Sequence, residues 1–245
     1  MTTLSRAVDQ ILSAQQATRK PLAVILAGHN GSGKSTLWRR ALSDQLQIPL
    51  INADRMMLSI LPEPGDDGLA PWAMTLRDTD RGWMGVAQQG VNAFAGHAMA
   101  AQVPFAMETV FSYWEPQPDG QIRSKIDLIV QLQAAGYFVL MIFVGLASVE
   151  LSILRVQTRV SEGGHTIDQA TLRKRFTKTQ TAIAAALPIA DAAILTDNSP
   201  GSDQAFTMAR VQLGGGSVLY DRRLNGKPAP PAMRAWLDVI APLAA

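Results

Sequence analysis

An α/β fold, with a mostly parallel sheet of five or more strands and helices on both faces, is what the sequence predicts. Three observations carry it. Apolar runs of strand length alternate along the chain with stretches of helical periodicity, the order that yields parallel strands joined by crossover helices. The first such run, Leu22–Gly28 (LAVILAG), leads directly into a glycine-rich turn and then a helical stretch. Finally, 245 residues that are 47% hydrophobic and 17% charged supply enough apolar material for one large core.

The elements follow in chain order. Leu4, Val8, Ile11 and Leu12 recur at helical spacing and predict an amphipathic opening helix. Leu22–Gly28 reads as a strand buried on both faces. Ser35–Leu46 has helical character, and Pro49–Asp54 (PLINAD) is a second apolar run that ends on an acid. Leu61–Gly82, rich in Pro, Gly and Asp, reads as one long loop, a feature that in compact domains is usually functional. Gly82–Ala101 lacks proline and reads as a helix, although Gly85, Gly90 and Gly96 each weaken it by about 1 kcal/mol relative to Ala.

Val103–Phe111 (VPFAMETVF) is the third strand, Ile122–Ala135 a helix, and Tyr137–Leu146 the fourth strand. Val149, Ile153, Val156 and Val160 mark a helix over Ser148–Val160. Glu162-Gly163-Gly164-His165 breaks it before a second helix over Asp168–Leu187. Ala190–Asp197 is a fifth strand. A hairpin around Gly214–Gly216, a turn at Asn225-Gly226 and a last helix carrying Met233, Trp236, Leu237 and Ile240 complete the chain. We read 1–245 as a single domain, with a lid about 155–180 and a C-terminal hairpin and helix extension about 205–245.

Composition excludes several function classes. With 22 basic and 20 acidic residues the net charge is +2, too small for a broad electrostatic footprint on nucleic acid, so no nucleic-acid partner is expected. There is no cysteine, hence no disulfide framework, thiolate metal site or cysteine nucleophile. The three histidines, His29, His97 and His165, are scattered and form no zinc pattern. The first twenty residues contain Asp9 and no apolar block, unlike a signal peptide. The longest apolar run, Tyr137–Ala147, falls short of the ~20 residues that span a bilayer. A cytoplasmic address without membrane contact is the expectation.

The strongest chemical signal is Gly28-His29-Asn30-Gly31-Ser32-Gly33-Lys34-Ser35, followed by Thr36, which satisfies the phosphate-loop pattern G-x4-G-K-[ST]. Its glycines let backbone N–H groups converge on phosphate oxygens, and the helix that follows points its positive end at the same anion. Lys34 supplies a charge to the β and γ phosphates, and Ser35 a hydroxyl for Mg²⁺. The flanking strand and helix meet the motif's context requirement. An ABC transporter ATPase would also need an LSGGQ-like signature and a strand ending in Asp-Glu, and a GTPase a base-reading N-K-x-D; none is present. Small kinases remain.

Such enzymes place acceptor-binding groups at the ends of neighbouring strands and arginines in a lid. Asp54 closes the second strand in this reading, at the carboxyl edge of the sheet where doubly wound folds bind ligands. There it would accept the proton of a hydroxyl acceptor; its alternative is a helix cap. Glu108 and Thr109 end the third strand at the same edge, with Glu108 orienting the acceptor, holding Mg²⁺ through water, or simply capping or solvated. Arg155 and Arg159, four apart, share a helix face, and Arg173 and Arg175 follow the glycine break. Together they make a hinged basic lid over a γ-phosphoryl group, with Arg155 also read as a substrate-binding residue and ordinary solvated positions the alternative for at least two of the four. His165 contacts nucleotide or caps its helix.

Five stretches resemble the zeta-toxin family of P-loop kinases, and more closely its chromosomal branch described as predicted ABC-type ATPases. They are AGHNGSGKST, INAD at Ile51–Asp54, METVFS at Met107–Ser112, RVQTRVSEGGH at Arg155–His165 with the downstream RKRF, and TDNS at Thr196–Ser199. The resemblance implies an adenylate-kinase-like fold and phosphoryl transfer from ATP. In the best-known toxins of that family the acceptor is the 3′-hydroxyl of the amino sugar in UDP-N-acetylglucosamine. It implies Lys34 and Ser35 on phosphate and Mg²⁺, Asp54 as acid-base, Glu108 on the acceptor, and Arg159 and Arg175 as lid arginines. It also brings an antitoxin protein into view as a partner. Between Asp54 and Glu108, Leu61–Arg81 included, the chain departs from the toxin prototype, which leaves the small-molecule acceptor open. An ATP-dependent switch without phosphoryl transfer and a polynucleotide 5′-kinase are the competing readings.

Overall fold

The computed structural model describes residues 3–66, 68–161, 167–200, 204–225 and 228–243. The glycine break with His165 and the Gly226 turn position lie outside them.

Helix α1 (Leu4–Thr18) opens the chain, with the Thr3 side chain accepting from the Arg6 N–H as its N-cap. Strand β1 (Leu22–Gly28) is buried at every position. After the glycine turn the chain is helical from α2 (Lys34–Leu37) through a π-helical segment (Trp38–Leu42) into α3 (Ser43–Leu46). Strand β2 is only Leu50–Ile51 and passes into α4 (Ala53–Ser59). Helices α5 (Pro71–Asp78) and α6 (Arg81–Ala101) lead to β3 (Phe105–Thr109). A small antiparallel pair, β4 (Trp114–Pro116) with β5 (Ile122–Ser124), precedes α7 (Ile126–Ala134) and β6 (Phe138–Gly145). Then come α8 (Val149–Ser161), α9 (Gln169–Ala186), β7 (Ala192–Asp197), the hairpin β8 (Thr207–Leu213) and β9 (Ser217–Asp221), and α10 (Pro231–Ile240).

The main sheet has seven strands in the order β2-β3-β1-β6-β7-β8-β9. The first five run parallel, and β8 and β9 extend the sheet antiparallel. Period-two alternation divides each central strand between two cores. Ala23, Ile25 and Ala27 face the side covered by α6, α7, α9 and α10. Leu22, Val24 and Leu26 face the side covered by α1 and the helical run after the glycine turn. The predicted class of fold is therefore the one observed. Among the described residues no helix is long and apolar enough to cross a membrane.

Three elements differ from the sequence reading. Asn52 ends the second apolar run early: its side chain accepts from the Arg55 N–H at 3.0 Å, so Asp54 lies in the first turn of α4 and not on a strand. The stretch read as one loop, Leu61–Gly82, holds α5, whose Pro71 occupies the first turn, where its missing N–H leaves no helical bond unmade. The helix read over Ile122–Ala135 starts at Ile126, because Ile122–Ser124 pairs with Trp114–Pro116.

Candidate active site

The glycine turn sits at the carboxyl end of β1, between the ends of β3 and β6, its neighbours in the sheet. Gly33 has φ 89°, and a Cβ built there would lie 2.7 Å from Asn198 Nδ2. Only glycine combines that backbone with that closeness. Asn198, within the TDNS stretch, donates through Nδ2 to the Ser32 carbonyl at 2.8 Å and through its backbone N–H to the Gly145 carbonyl at 3.1 Å. It thereby ties the loop to the end of β6. Asp197, almost fully buried, accepts from Trp236 Nε1 at 3.0 Å and from Ser199 Oγ at 2.6 Å.

Lys34 is buried, and its Nζ donates to the Gly28 and His29 carbonyls, both at 3.1 Å. Burial lowers its pKa, Glu108 and Asp54 oppose that shift, and Arg159 adds to it. Ser35 Oγ lies 3.0 and 2.9 Å from the two carboxylate oxygens of Glu108 and donates to that group. Among the described residues, the buried Asn30 Oδ1 and Ser32 Oγ atoms have no hydrogen-bond partner. Buried polar atoms normally have one. In a loop this shape, the Ser32 hydroxyl suits an oxyanion as donor, and Asn30 Oδ1 suits a donor such as an anion-bound water.

His29 is 1% exposed, and its ring stacks on Phe176 of α9 at a 3.8 Å centroid separation and 12°. Phe143 meets His29 edge-on at 5.5 Å and Trp236 at 5.7 Å. Burial, with Lys34 second, pushes the imidazole pKa down to about 3, so the ring is neutral. Phe176 adjoins Arg175, and Thr179 one turn on donates to the Val110 carbonyl at 3.1 Å. Helix α9 is thus pinned to the glycine loop and to the end of β3. Phe111 there takes a positive φ of 62°, uncommon for a bulky residue, and its N–H donates to Thr109 Oγ1 at 3.1 Å.

A cleft of about 410 Å³ opens beside the loop. Lys34, Asp54, Glu108, Thr109, Arg159 and Arg175 all line it, as do Asn30 and Gly31. The structure therefore gathers the expected acid, glutamate and two lid arginines around the loop lysine, despite separations of up to 141 residues in sequence (175 − 34). Arg155 is not on that wall. It stands against Gly31, where a Cβ would lie 3.0 Å from its own Cβ, and burial lowers its pKa while Asp197 opposes the shift. Arg173 faces outward and pairs with Glu150 at 2.8 Å. Helices α8 and α9 share a small core of Ile153, Val156 and Leu172, separate from the two main cores.

Sequence reasoning assigned no site role to five further polar residues on the cleft wall: Asn52, Gln88, Ser112, Tyr113 and Lys125. INAD already contained Asn52. For Lys125 the only available signal was the short hairpin before it, too brief to show strand alternation.

No protein-family model matches the chain. It is 29% identical over 154 residues, 63% of its length, to an uncharacterised protein of Haemophilus influenzae, of which the match covers 91%. Its fold is similar to that of a chain from the PezAT chromosomal toxin-antitoxin system of Streptococcus pneumoniae, with TM-score 0.55 and 14% identity over 99% of this chain and 90% of that one. It is also similar to the AvrRxo1-ORF1:-ORF2 structure solved with ATP, with TM-score 0.57 and 13% identity over 98% of this chain and 70% of that one. At these identities the likeness speaks for the fold alone, an α/β fold of the kind the sequence predicts.

Proposed function

We propose that the protein is an ATP- and Mg²⁺-dependent phosphotransferase that phosphorylates a hydroxyl of a small molecule. One observation carries the reading: a phosphate-loop lysine, two carboxylates and two arginines share a single cleft. In this reading the loop from Gly28 to Thr36 holds the triphosphate through backbone N–H groups, and Lys34 leaves its two carbonyls for the β and γ phosphates. Arg159 and Arg175 close on the γ-phosphoryl oxygens, with α9 keyed in place by the His29–Phe176 stack. Arg155, away from the acceptor, supports the loop at Gly31.

The acceptor hydroxyl lies against Asp54. As the bond from the γ phosphorus to the ADP oxygen breaks and the new phosphorus–oxygen bond forms, the hydroxyl proton passes to the Asp54 carboxylate. A loose transition state makes late proton removal by an ordinary carboxylate sufficient. Ser35 Oγ and the Glu108 carboxylate are adjacent hard oxygens, the donor set Mg²⁺ accepts alongside phosphate and water. When bound, the ion neutralises phosphate charge. With the acceptor present, Glu108 and Thr109 orient it.

Support for ATP as donor comes from the neighbour solved with ATP. A nucleotide sugar, UDP-N-acetylglucosamine first, is the acceptor to try on the family resemblance. A dedicated partner protein belongs to the reading too, since one neighbour comes from a toxin-antitoxin system and the other was solved as a two-protein assembly. A reaction drawing on ATP belongs in the cytoplasm.

The test is mass spectrometry of a metabolite extract incubated with protein, ATP and Mg²⁺. A metabolite should gain one phosphate with the wild type, and with neither Lys34→Ala nor Asp54→Ala. Near-wild-type turnover by Asp54→Ala would remove Asp54 as the base. ATP binding with no phosphorylated product from any extract would leave the switch reading in its place.

A further inference from the structure

We infer that the acceptor carries a negatively charged group, phosphate or carboxylate, away from the hydroxyl that reacts, and that Lys125 is the residue that binds it. The inference rests on the phosphotransferase reading for the word acceptor. The anion site itself stands on the geometry of Lys125.

Lys125 lies on the wall of the same cleft as Asp54 and Glu108, at the turn from β5 into α7. Its backbone position is set locally. The Ile126 N–H donates to Ser124 Oγ at 3.1 Å, the Ser124 N–H donates to Asp127 Oδ2 at 3.3 Å, and Ser124 is itself buried. The side chain, by contrast, is uncompensated: among the described residues its amine makes no hydrogen bond and no ion pair. It is half-buried, and burial alone accounts for its lowered pKa. Lys34 feels Glu108 and Asp54, and Lys125 feels neither. The catalytic carboxylates therefore do not supply its counter-charge.

The charges on the wall agree. Among the described residues the lining holds four cations, Lys34, Lys125, Arg159 and Arg175, and two carboxylates, Asp54 and Glu108. A triphosphate engages Lys34 and the arginines, which surround the phosphate loop. Lys125 is left over. A partly desolvated ammonium without a partner is unfavourable, and the group that relieves it has to arrive with the ligand. An ammonium on a flexible stem suits an oxyanion as a point charge, without dictating its planar geometry. Neutral hydrogen-bonding groups, Tyr113 and Gln88, line the same cleft and suit an uncharged part of the acceptor.

Two measurements test the inference. In the first, a metabolite extract is split on an anion-exchange column into retained and unretained pools. Each is incubated with the protein and γ-labelled ATP, and part of the retained pool is treated with phosphatase beforehand. Labelled product is expected from the retained pool alone. Loss of product after phosphatase alone assigns a terminal phosphate, loss only when a nucleotide pyrophosphatase is added with it assigns an internal phosphate diester, and survival of both assigns carboxylate. Lys125→Met, which keeps the aliphatic stem, should raise the amount of pool needed for half-maximal labelling about tenfold or more, the size of one charge-assisted hydrogen bond. The KM for ATP should stay within about twofold, and Lys125→Arg should recover most of the loss. Product from the unretained pool, or an unchanged acceptor requirement in Lys125→Met, overturns the inference and leaves the phosphotransferase reading intact.

The second measurement needs no turnover. Protein saturated with Mg²⁺ and a non-hydrolysable ATP analogue is titrated calorimetrically with inorganic phosphate. Binding in the wild type that weakens at least about fivefold in Lys125→Met and returns in Lys125→Arg supports the site even if no pool is phosphorylated. Equal binding by wild type and Lys125→Met, or none by either, overturns it. Thermal melting of each variant confirms that the fold is retained.

Discussion

The two sides of the cleft are built to different tolerances. On the nucleotide side, a Cβ added at Gly28, Gly31 or Gly33 meets other atoms at 2.6, 3.0 or 2.7 Å, and the loop is tied to β6 and β7 through Asn198. On the acceptor side, a Cβ at Gly85 or Gly96 of α6 meets nothing within 4 Å. Large apolar side chains there reach solvent, including Ile60 at 64%, Trp72 at 58% and Val86 at 58% exposure. A phosphate chain has one shape, so the groups that hold it can be close-packed. The other wall, formed by α4 to α6, is under no such geometric constraint.

The strongest challenge to that contrast is at Lys34. Lys34→Met should lower phosphoryl transfer about 10³-fold or more, by the scale of losing one preorganised charge on a developing anion. A loss smaller than tenfold in a steady-state assay would mean that the close-packed side is not where the reaction is driven.

A glycine pair sharpens the contrast further. Gly33→Ala should lower thermal stability by about 2 kcal/mol, from a strained positive φ and the approach to Asn198, and weaken ATP binding as well. Gly96→Ala, in open space on a helix, should instead raise stability by up to about 1 kcal/mol. Denaturant melts of both variants decide it, and shifts of the same sign would erase the distinction.

Acid should act first on the nucleotide side. His29 has a folded pKa of about 3 against 6.5 unfolded, so below pH 6.5 the unfolded chain takes up a proton that the folded one refuses. The stability tied to its neutral form is complete above pH 6.5 and declines as pH falls towards 3, with roughly 2 kcal/mol gone by pH 5. His29→Phe, which preserves the stacking on Phe176, should flatten the decline of melting temperature between pH 7 and 5. The smallest effect belongs to the rim. Glu115 pairs with Lys178 at 2.5 Å in the open, and Glu115→Gln should leave the melting temperature unchanged within error.

What could be read in advance follows from range. Leu22–Gly28 and the glycines after it are legible because seven consecutive buried positions and a fixed spacing are properties of neighbours in sequence. Asp54 was placed on the correct edge but on the wrong element, since Asn52 takes the helix-capping position and no periodicity signals a strand two residues long. Pro71, which started a helix, was easily taken for a loop residue among the glycines and aspartates before it. Arg155 and Arg159 look equivalent four residues apart, yet one braces Gly31 and the other reaches the cleft, a difference that only packing of α8 against the loop creates. Lys125 depends on the same kind of information, for its place on the cleft wall without an ion pair among the described residues is a fact about three dimensions.

Helix α10 emerges from the ribosome last of all the described helices, yet its Trp236 donates to Asp197, beside the asparagine that holds the Ser32 carbonyl. A nascent chain that has completed β1 to β7 still lacks that donor, and the surface of Gly145 on which the indole lies is bare. The packing that backs the anchor of the glycine loop is therefore among the last contacts to form during synthesis.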